Sequence, residues 1–338
     1  MEASKTNPIY SVTVISSGIK FNLTPALISL SFSESKKLIS KSVTIDLLNA
    51  PVGNSRLTAY LKPSDRVYIY ANDGERNEEV WRGYIWTRPY TSDILGYNLT
   101  LKCYDNLIYF QESEDALFFA AGKSTKDIFS TICSNWGVKM NYTYSSITHA
   151  KLALRGTLCD IFTSDLLPLV KDRTGKNYVI YSYQDTMYVK HVGTNTTVYN
   201  IKRGAGGTAM RTRSSSTLDG VTTKVVILGK ADDDDRRPVE GVVTGNTSAY
   251  GTLQKIITRD ENTTIEDSKK EAQGIIDENG KPKKEYEVTA IDIPWIRKGD
   301  KVNVSAGDLY KPYIVVGIDR EITMKDKRMT LTLEDVVA

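Results

Sequence analysis

Two stretches near opposite ends of the chain repeat one pattern, and this repeat limits the fold more than any other feature. Lys62-Pro63-Ser64-Asp65-Arg66-Val67-Tyr68-Ile69 and Arg297-Lys298-Gly299-Asp300-Lys301-Val302-Asn303-Val304 both run turn, Asp, basic residue, Val, and then alternate. Alternation with a period of two marks a strand with one buried face. Downstream, Arg82-Gly83-Tyr84-Ile85-Trp86-Thr87-Arg88 has a loose counterpart in Val316-Gly317-Ile318-Asp319-Arg320, and Leu99-Thr100-Leu101 in Leu331-Thr332-Leu333. An acidic residue follows each final strand, at Asp105 and at Glu334-Asp335. Three aligned strand signals imply a duplicated β module.

A chain of 338 residues exceeds one ordinary core, so two or three domains are expected. The predicted fold class is mainly β, with two β-barrel domains flanking a small α+β domain. Residues 1–110 form the first barrel, with alternating strands at Ser42–Leu48 and Asn98–Lys102 and a hairpin turn at Asn72-Asp73-Gly74. Residues 111–200 form the α+β insertion. Its first helix starts at the Ser124/Asp127 capping pair and ends at Gly137; its second starts near Thr157 and is bent or shortened by Pro168. A hairpin from Asn177 to His191 turns at Gln184-Asp185.

Residues 201–338 form the second barrel, interrupted by a polar loop and helix over 229–281. The stretch 201–221 reads as a Gly-, Ser- and Thr-rich linker, Thr222–Leu228 as a strand, and Thr264–Asn279 as a helix capped by Thr264/Asp267. That helix carries a Glu266–Lys270 pair and a thin apolar stripe of Ile265, Ala272, Ile275 and Ile276. A stripe so narrow predicts a surface or partner contact rather than a core.

Composition removes several function classes. Lys plus Arg number 44 against 41 Asp plus Glu, and basic residues are scattered, so no specific nucleic-acid partner is expected. Lys36-Lys37 with Lys41 is the local basic cluster and reads as a solvated turn. No run approaches the roughly 18 apolar residues of a membrane span, and the N-terminus lacks a signal-peptide pattern, so synthesis in the cytoplasm is expected. The cysteines, Cys103, Cys133 and Cys159, sit in apolar patterns and read as buried thiols.

Catalytic and ligand patterns fall short. Gly122-Lys123-Ser124 lacks the earlier glycine of a phosphate loop, since Leu117 stands there. Asp232 to Asp235 lack the ligand spacing of a calcium loop. His149, in a polar loop, and His191, within a strand, have no Cys or His at ligand spacing. No catalytic residue, metal or cofactor is therefore expected. Twenty tyrosines against seven phenylalanines suit half-buried strands and assembly surfaces.

Two barrels per chain let a ring of three chains present six similar barrels, which matches a threefold object to a sixfold one. Here the sequence resembles the baseplate hubs of phage-type contractile tails, the XkdQ/YqbQ-like hubs of defective phages and tail-like bacteriocins. The resemblance runs over nearly the whole chain. It is carried by Tyr250-Gly251-Thr252-Leu253-Gln254-Lys255-Ile256, Pro294-Trp295-Ile296-Arg297-Lys298-Gly299-Asp300 and Gly122-Lys123-Ser124-Thr125. It implies a homotrimer of double tail-tube-like barrels that joins the hexameric tail tube to the trimeric spike, with tube, spike and other baseplate subunits as partners. It also implies assembly into a virion or tail-like particle. Some related chains carry a peptidoglycan-cleaving or needle domain; this one reaches Ala338 soon after its last strand, so none is expected. Tyr250, Trp295 and Arg297 are the candidate assembly contacts. The alternatives are a tail-associated peptidoglycan hydrolase and a receptor- or carbohydrate-binding tail protein.

Overall fold

The computed structural model describes residues 7–93, 96–144, 146–231, 236–260 and 263–336. Asp232 to Asp235 lie outside the described residues. The chain divides into two units, Met1–Arg213 with Glu287–Ala338, and Ser214–Tyr286.

The first half of the larger unit supplies strands β1 (Ile9–Ser16), β2 (Leu27–Glu34), β3 (Ser42–Leu48), β4 (Arg66–Asn72), β5 (Asn77–Thr87), β6 (Tyr90–Asp93) and β7 (Gly96–Tyr104). Later come β8 (Ala209–Thr217), β9 (Lys283–Ile291), β10 (Lys301–Ala306), β11 (Leu309–Thr323) and β12 (Lys327–Asp335). One sheet runs β8-β9-β12-β11-β2-β3-β7-β5-β4-β1 and on to the short strand Ile19–Asn22. Off this path β6 pairs β7, and β10 pairs both β11 and Tyr199–Lys202. Alternation explains the core: β4 buries Val67, Ile69 and Ala71, β3 buries Val43, Ile45 and Leu47, and β12 buries Met329, Leu331 and Leu333. The protein is thus mainly β, as expected.

The sequence repeat is a structural repeat. Asp65 accepts the Lys62 backbone N–H at 2.8 Å and returns its own N–H to Lys62 O at 3.2 Å. Asp300 does the same with Arg297, at 2.9 and 3.1 Å. Ser64 and Gly299, each just before the Asp, have φ of 68° and 88°. Their N–H groups reach Ile85 O and Val315 O at 2.7 Å in both cases. A bulge follows at one place in each copy: β7 pairs Cys103 with Ile85 and Lys102 with Thr87, skipping Trp86, while β12 pairs Leu333 with Val315 and Thr332 with Gly317, skipping Val316.

These registers correct the sequence alignment. The equivalent of Gly317 is Thr87 rather than Gly83, and Leu331 matches Leu101 rather than Leu99. The two glycines answer different close approaches. A Cβ on Gly83 would stand 2.1 Å from Tyr104 O and 2.6 Å from the Trp81 ring, whereas one on Gly317 would meet Thr332 at 3.2 Å. Glycine matching misled because the bulged positions carry no shared residue type.

Between the copies, Ser124 and Asp127 form a full capping box on the helix Thr125–Asn135, and Gly137, at φ 65°, follows its end. The next helical run passes from Leu158–Asp160 through one π segment, Ile161–Leu166, into Leu167–Thr174. Pro168 cannot donate to the preceding turn, and the helix widens there instead of breaking. Phe129 and Phe162 stack with centroids 4.4 Å apart in a core shared with Phe110, Ile128, Ile132 and Leu158. The hairpin Tyr178–Tyr183/Thr186–His191 turns on Gln184 and Asp185, both at positive φ. Cys103, Cys133 and Cys159 are buried free thiols.

The smaller unit holds a three-stranded sheet of Val239–Thr244, Lys224–Leu228 and Gln254–Thr258. Three expectations fail around it. The proposed linker contains β8, a largely polar strand without apolar alternation to announce it. The polar stretch 229–253 contains the strand Val239–Thr244 and the helix Thr247–Tyr250. The helix Ile265–Asn279 buries Ala272 and Ile276 against Val225 and Ile227, so its thin stripe does form the unit's core. Lys270 pairs with Asp267 at 3.2 Å instead of with Glu266.

Gly299 tests the repeated turn. Its φ is positive and an added Cβ would lie 2.3 Å from Val179 Cγ1. Gly299→Ala is therefore expected to lose about 2–4 kcal/mol in urea unfolding, while Ser64→Gly, at the equivalent site, stays within about 1 kcal/mol.

Candidate functional site

The two copies meet where β11 outgrows its own module. Its N-terminal part pairs β10, and residues Ile318 to Thr323 pair Glu34 to Ser29 of β2. Arg320, opposite Phe32, points from this joint into the interior and is 2% exposed. Its Nε donates to Asp292 Oδ1 at 3.0 Å, its Nη2 to Ile296 O at 2.7 Å, and its Nη1 lies 3.7 Å from Glu34 Oε1. The Tyr10 hydroxyl donates to the other oxygen of Asp292. Lys41 Nζ sits 2.8 Å from Glu34 Oε1, and Lys298 Nζ donates to Ser35 O at 3.1 Å.

Burial sets the ionisation of this cluster. It would raise the Glu34 carboxyl, but Lys41 and Arg320 outweigh it and hold Glu34 below its ordinary value. Burial pulls Lys41 and Lys298 down despite their acidic neighbours. It pushes Asp105 up to about 6, even though its oxygens accept the Lys41 and Leu107 N–H groups at 2.9 Å. The sequence reading of Lys41 as part of a solvated turn is corrected: its side chain is 16% exposed and tied to Glu34. Lys36 is exposed and pairs with Glu334.

The loop 293–300 presses on the first copy and on the insertion. Trp295 Nε1 donates to Asp73 Oδ2 at 2.7 Å, at the Asn72–Gly74 turn, and the Arg76 guanidinium lies 4.4 Å from the Trp295 ring. Arg297 stacks over Tyr183 at 4.2 Å, and Lys190 reaches Asp300 at 3.3 Å. The structure thus brings Trp295 and Arg297 onto one loop. Tyr250 belongs to the smaller unit, partly exposed at the end of the helix Thr247–Tyr250. Sequence reasoning missed Arg320, Asp292, Glu34 and Tyr10, although a charged residue on the apolar face of an alternating strand, as Arg320 is between Ile318 and Ile322, was the available signal.

A second feature is a cavity of about 580 Å³ lined by Arg82, Tyr84, Tyr109, Trp136, Lys139 and Asp185 among others. Tyr109 and Trp136 of this lining are 38–40% exposed, as is Trp86, which packs edge-on against Tyr109. Arg82 is bound by Glu79 and, at 3.3 Å, by Asp185. His149 lies in a loop and is buried there, with Nε2 2.7 Å from Thr125 Oγ1. Burial lowers its basicity. His191 packs against the Tyr178 ring. No cluster of His, Cys, Asp or Glu able to hold a metal occurs among the described residues. No helix among them is long and apolar enough to cross a membrane.

The model of the YQBQ-like family matches residues 30–334, so the match spans both copies and the joint. The chain belongs to the YQBQ-like family. No curated protein matches it. Among solved structures, this YQBQ-like chain is similar to the 43 kDa tail protein of prophage MuSo2 from Shewanella oneidensis, with TM-score 0.67, 14% identity, and 96% and 98% of the two chains covered. It is equally similar to a tail protein from Neisseria meningitidis MC58, with TM-score 0.67, 14% identity and 96% of each chain covered. The E. coli c3393 protein, a type VI secretion component described as similar to T4 bacteriophage tail proteins gp27 and gp5, matches with TM-score 0.55 and 9% identity over 92% and 74%. The fold is that of these phage tail proteins.

Arg320→Met should leave Asp292 and Glu34 buried with less compensation, costing about 3–5 kcal/mol in chemical unfolding. Asp105 provides a pH signature. With a folded value near 6 against about 3.9 when unfolded, it favours the fold fully below about pH 4, and that contribution disappears as pH rises through 6. Asp105→Asn is expected to lose less stability than the parent between pH 4.5 and 7, by on the order of 2 kcal/mol.

Proposed function

We propose that this protein is the baseplate hub of a contractile phage tail or tail-like particle, a trimeric ring of six barrel-like modules that joins a hexameric tube to a trimeric spike. The observation that carries this reading is the internal repeat: one turn, hydrogen-bond pattern and bulge occur twice in a chain. A ring of n such chains offers 2n similar modules, which suits contact with a partner of twice its symmetry. The description of c3393 by its likeness to the T4 tail proteins gp27 and gp5 supports a place in a phage-type tail assembly. In this reading residues 1–110 and 201–338 supply the modules, 111–200 the insertion between them, and Tyr250, Trp295 and Arg297 are assembly contacts.

The role is non-enzymatic. Zymography of the purified chain on peptidoglycan should show no clearing; lysis by this chain alone would replace the hub by a hydrolase. A second reading, a carbohydrate-binding tail protein, draws on Tyr109 and Trp136, which line the cavity and are exposed, and on Trp86 packed against Tyr109. Binding of the isolated chain to host cell walls would favour it, and capture by tube and spike subunits favours the hub.

Trp295→Ala removes the indole from Asp73 and Arg76. It is expected to lower unfolding stability by about 2–3 kcal/mol and to weaken co-purification with tube and spike subunits. A variant with full stability and normal assembly would dismiss Trp295 as an anchor.

A further inference from the structure

The cavity of about 580 Å³ lies within the roughly 300–1,000 Å³ range of small-ligand sites. β5 supplies Arg82 and Tyr84, the short helix Ile108–Gln111 supplies Tyr109, the residues after the helix Thr125–Asn135 supply Trp136 and Lys139, and the hairpin turn supplies Gln184 and Asp185. Direct contacts hold these walls. Asn106 Nδ2 donates to Asp185 O at 3.0 Å, and the Asp185 carboxylate takes Arg66 of β4 and Arg82 of β5. Walls fixed in this way need little ordering when a ligand enters.

The charges around the cavity leave one cation over. Arg66 and Arg82 are matched by Asp185 and Glu79, so these four sum to zero. Lys139 is exposed, and among the described residues no ion pair or hydrogen bond takes its ammonium. The same holds for the Gln184 amide, the Trp136 indole N–H and the Tyr109 hydroxyl. The acceptors are committed by contrast. Asp185 gives Oδ2 to both arginines while its Oδ1 is out of solvent reach, and Asn106 Oδ1 accepts from the Ser182 hydroxyl. What the walls still offer is mainly N–H and O–H donors and one positive charge, which favours an acceptor-rich anion.

Aromatic rings supply the rest of the wall, and Tyr109 and Trp136 are exposed there. Tyr84 and Tyr109 meet edge-to-face at 71°, so these two rings make no parallel slot for a flat nucleobase. They present separate faces, which suit the apolar C–H faces of a puckered sugar ring. We propose that this cavity binds a pyranose carrying an anionic group, carboxylate or phosphate, with the sugar ring against Tyr109 and Trp136 and the anion at Lys139. The site rests on the second reading for its sugar, to which it adds a charge and named contacts, and it is independent of whether the chain is a hub.

Calorimetric titration of the full chain tests this with oligogalacturonate, a glucose phosphate, a neutral cello-oligosaccharide, inorganic phosphate and adenosine monophosphate. An anionic sugar should bind about tenfold tighter than the neutral one, and whether the carboxylate or the phosphate sugar does so identifies the anion. Inorganic phosphate and the nucleotide should bind more weakly than that sugar. Lys139→Gln, at an exposed side chain without a partner, should abolish the preference with an unchanged unfolding midpoint, and Lys139→Arg should keep it. Trp136→Ala should weaken both sugars roughly three- to tenfold. Because Trp136 packs on Phe110, Tyr109→Leu repeats the stacking test at an exposed ring. Tighter binding of the nucleotide, or an anion preference that survives Lys139→Gln, overturns the site. Equal binding of neutral and anionic sugars overturns it and leaves the second reading standing; binding of neither sugar overturns both. The hub reading is untouched by these outcomes, since capture by tube and spike subunits decides it.

Discussion

Arg320 is the constraint around which the larger unit is organised. Its strand joins two modules through a backbone ladder, and its guanidinium is held by Asp292, the Ile293 and Ile296 carbonyls and the nearby Glu34. A buried cation is tolerable only when nearly every donor has a partner. The partners come from β2 and from the loop after β9, so the charge is compensated only when both modules are in place. Such a cluster adds little net stability relative to an apolar core, but it penalises any slip of β11 on β2.

The same economy of local chemistry recurs in the turns at Asp65 and Asp300. A carboxylate that accepts a backbone N–H three residues earlier closes the turn, and the residue before it takes positive φ. Ser64 can occupy that position because its neighbourhood is open. Position 299 excludes any side chain, since Val179 of the insertion packs against it. One motif thus ends up under different constraints in the two copies. The difference arises from what each turn touches.

Much of the local structure was legible. The capping box at Ser124, the hairpin at Gln184-Asp185 and the buried thiols follow from residue type and spacing, because the forces that fix them act within a few residues. The turn-Asp-basic-Val repeat was legible for the same reason. The strand β8 was not, because its Ser, Thr and Arg residues leave both faces polar and its pairing with β9 carries the stability. Lys41 was misread for a related reason: nothing near it in sequence announces that Glu34 and Arg320 will surround it.

By itself the sequence determined that the chain is mainly β, that one strand module occurs twice and that a helical insertion separates the copies, since periodicity and capping are local properties. Only the tertiary structure decided which residues of the two copies are equivalent, that β11 joins them through β2, and that Arg320, Asp292 and Glu34 meet inside. Strand pairing uses backbone groups that are alike at every position, so partners hundreds of residues apart leave no mark on composition. They are selected by the whole sheet's register and by the buried charges that register brings together.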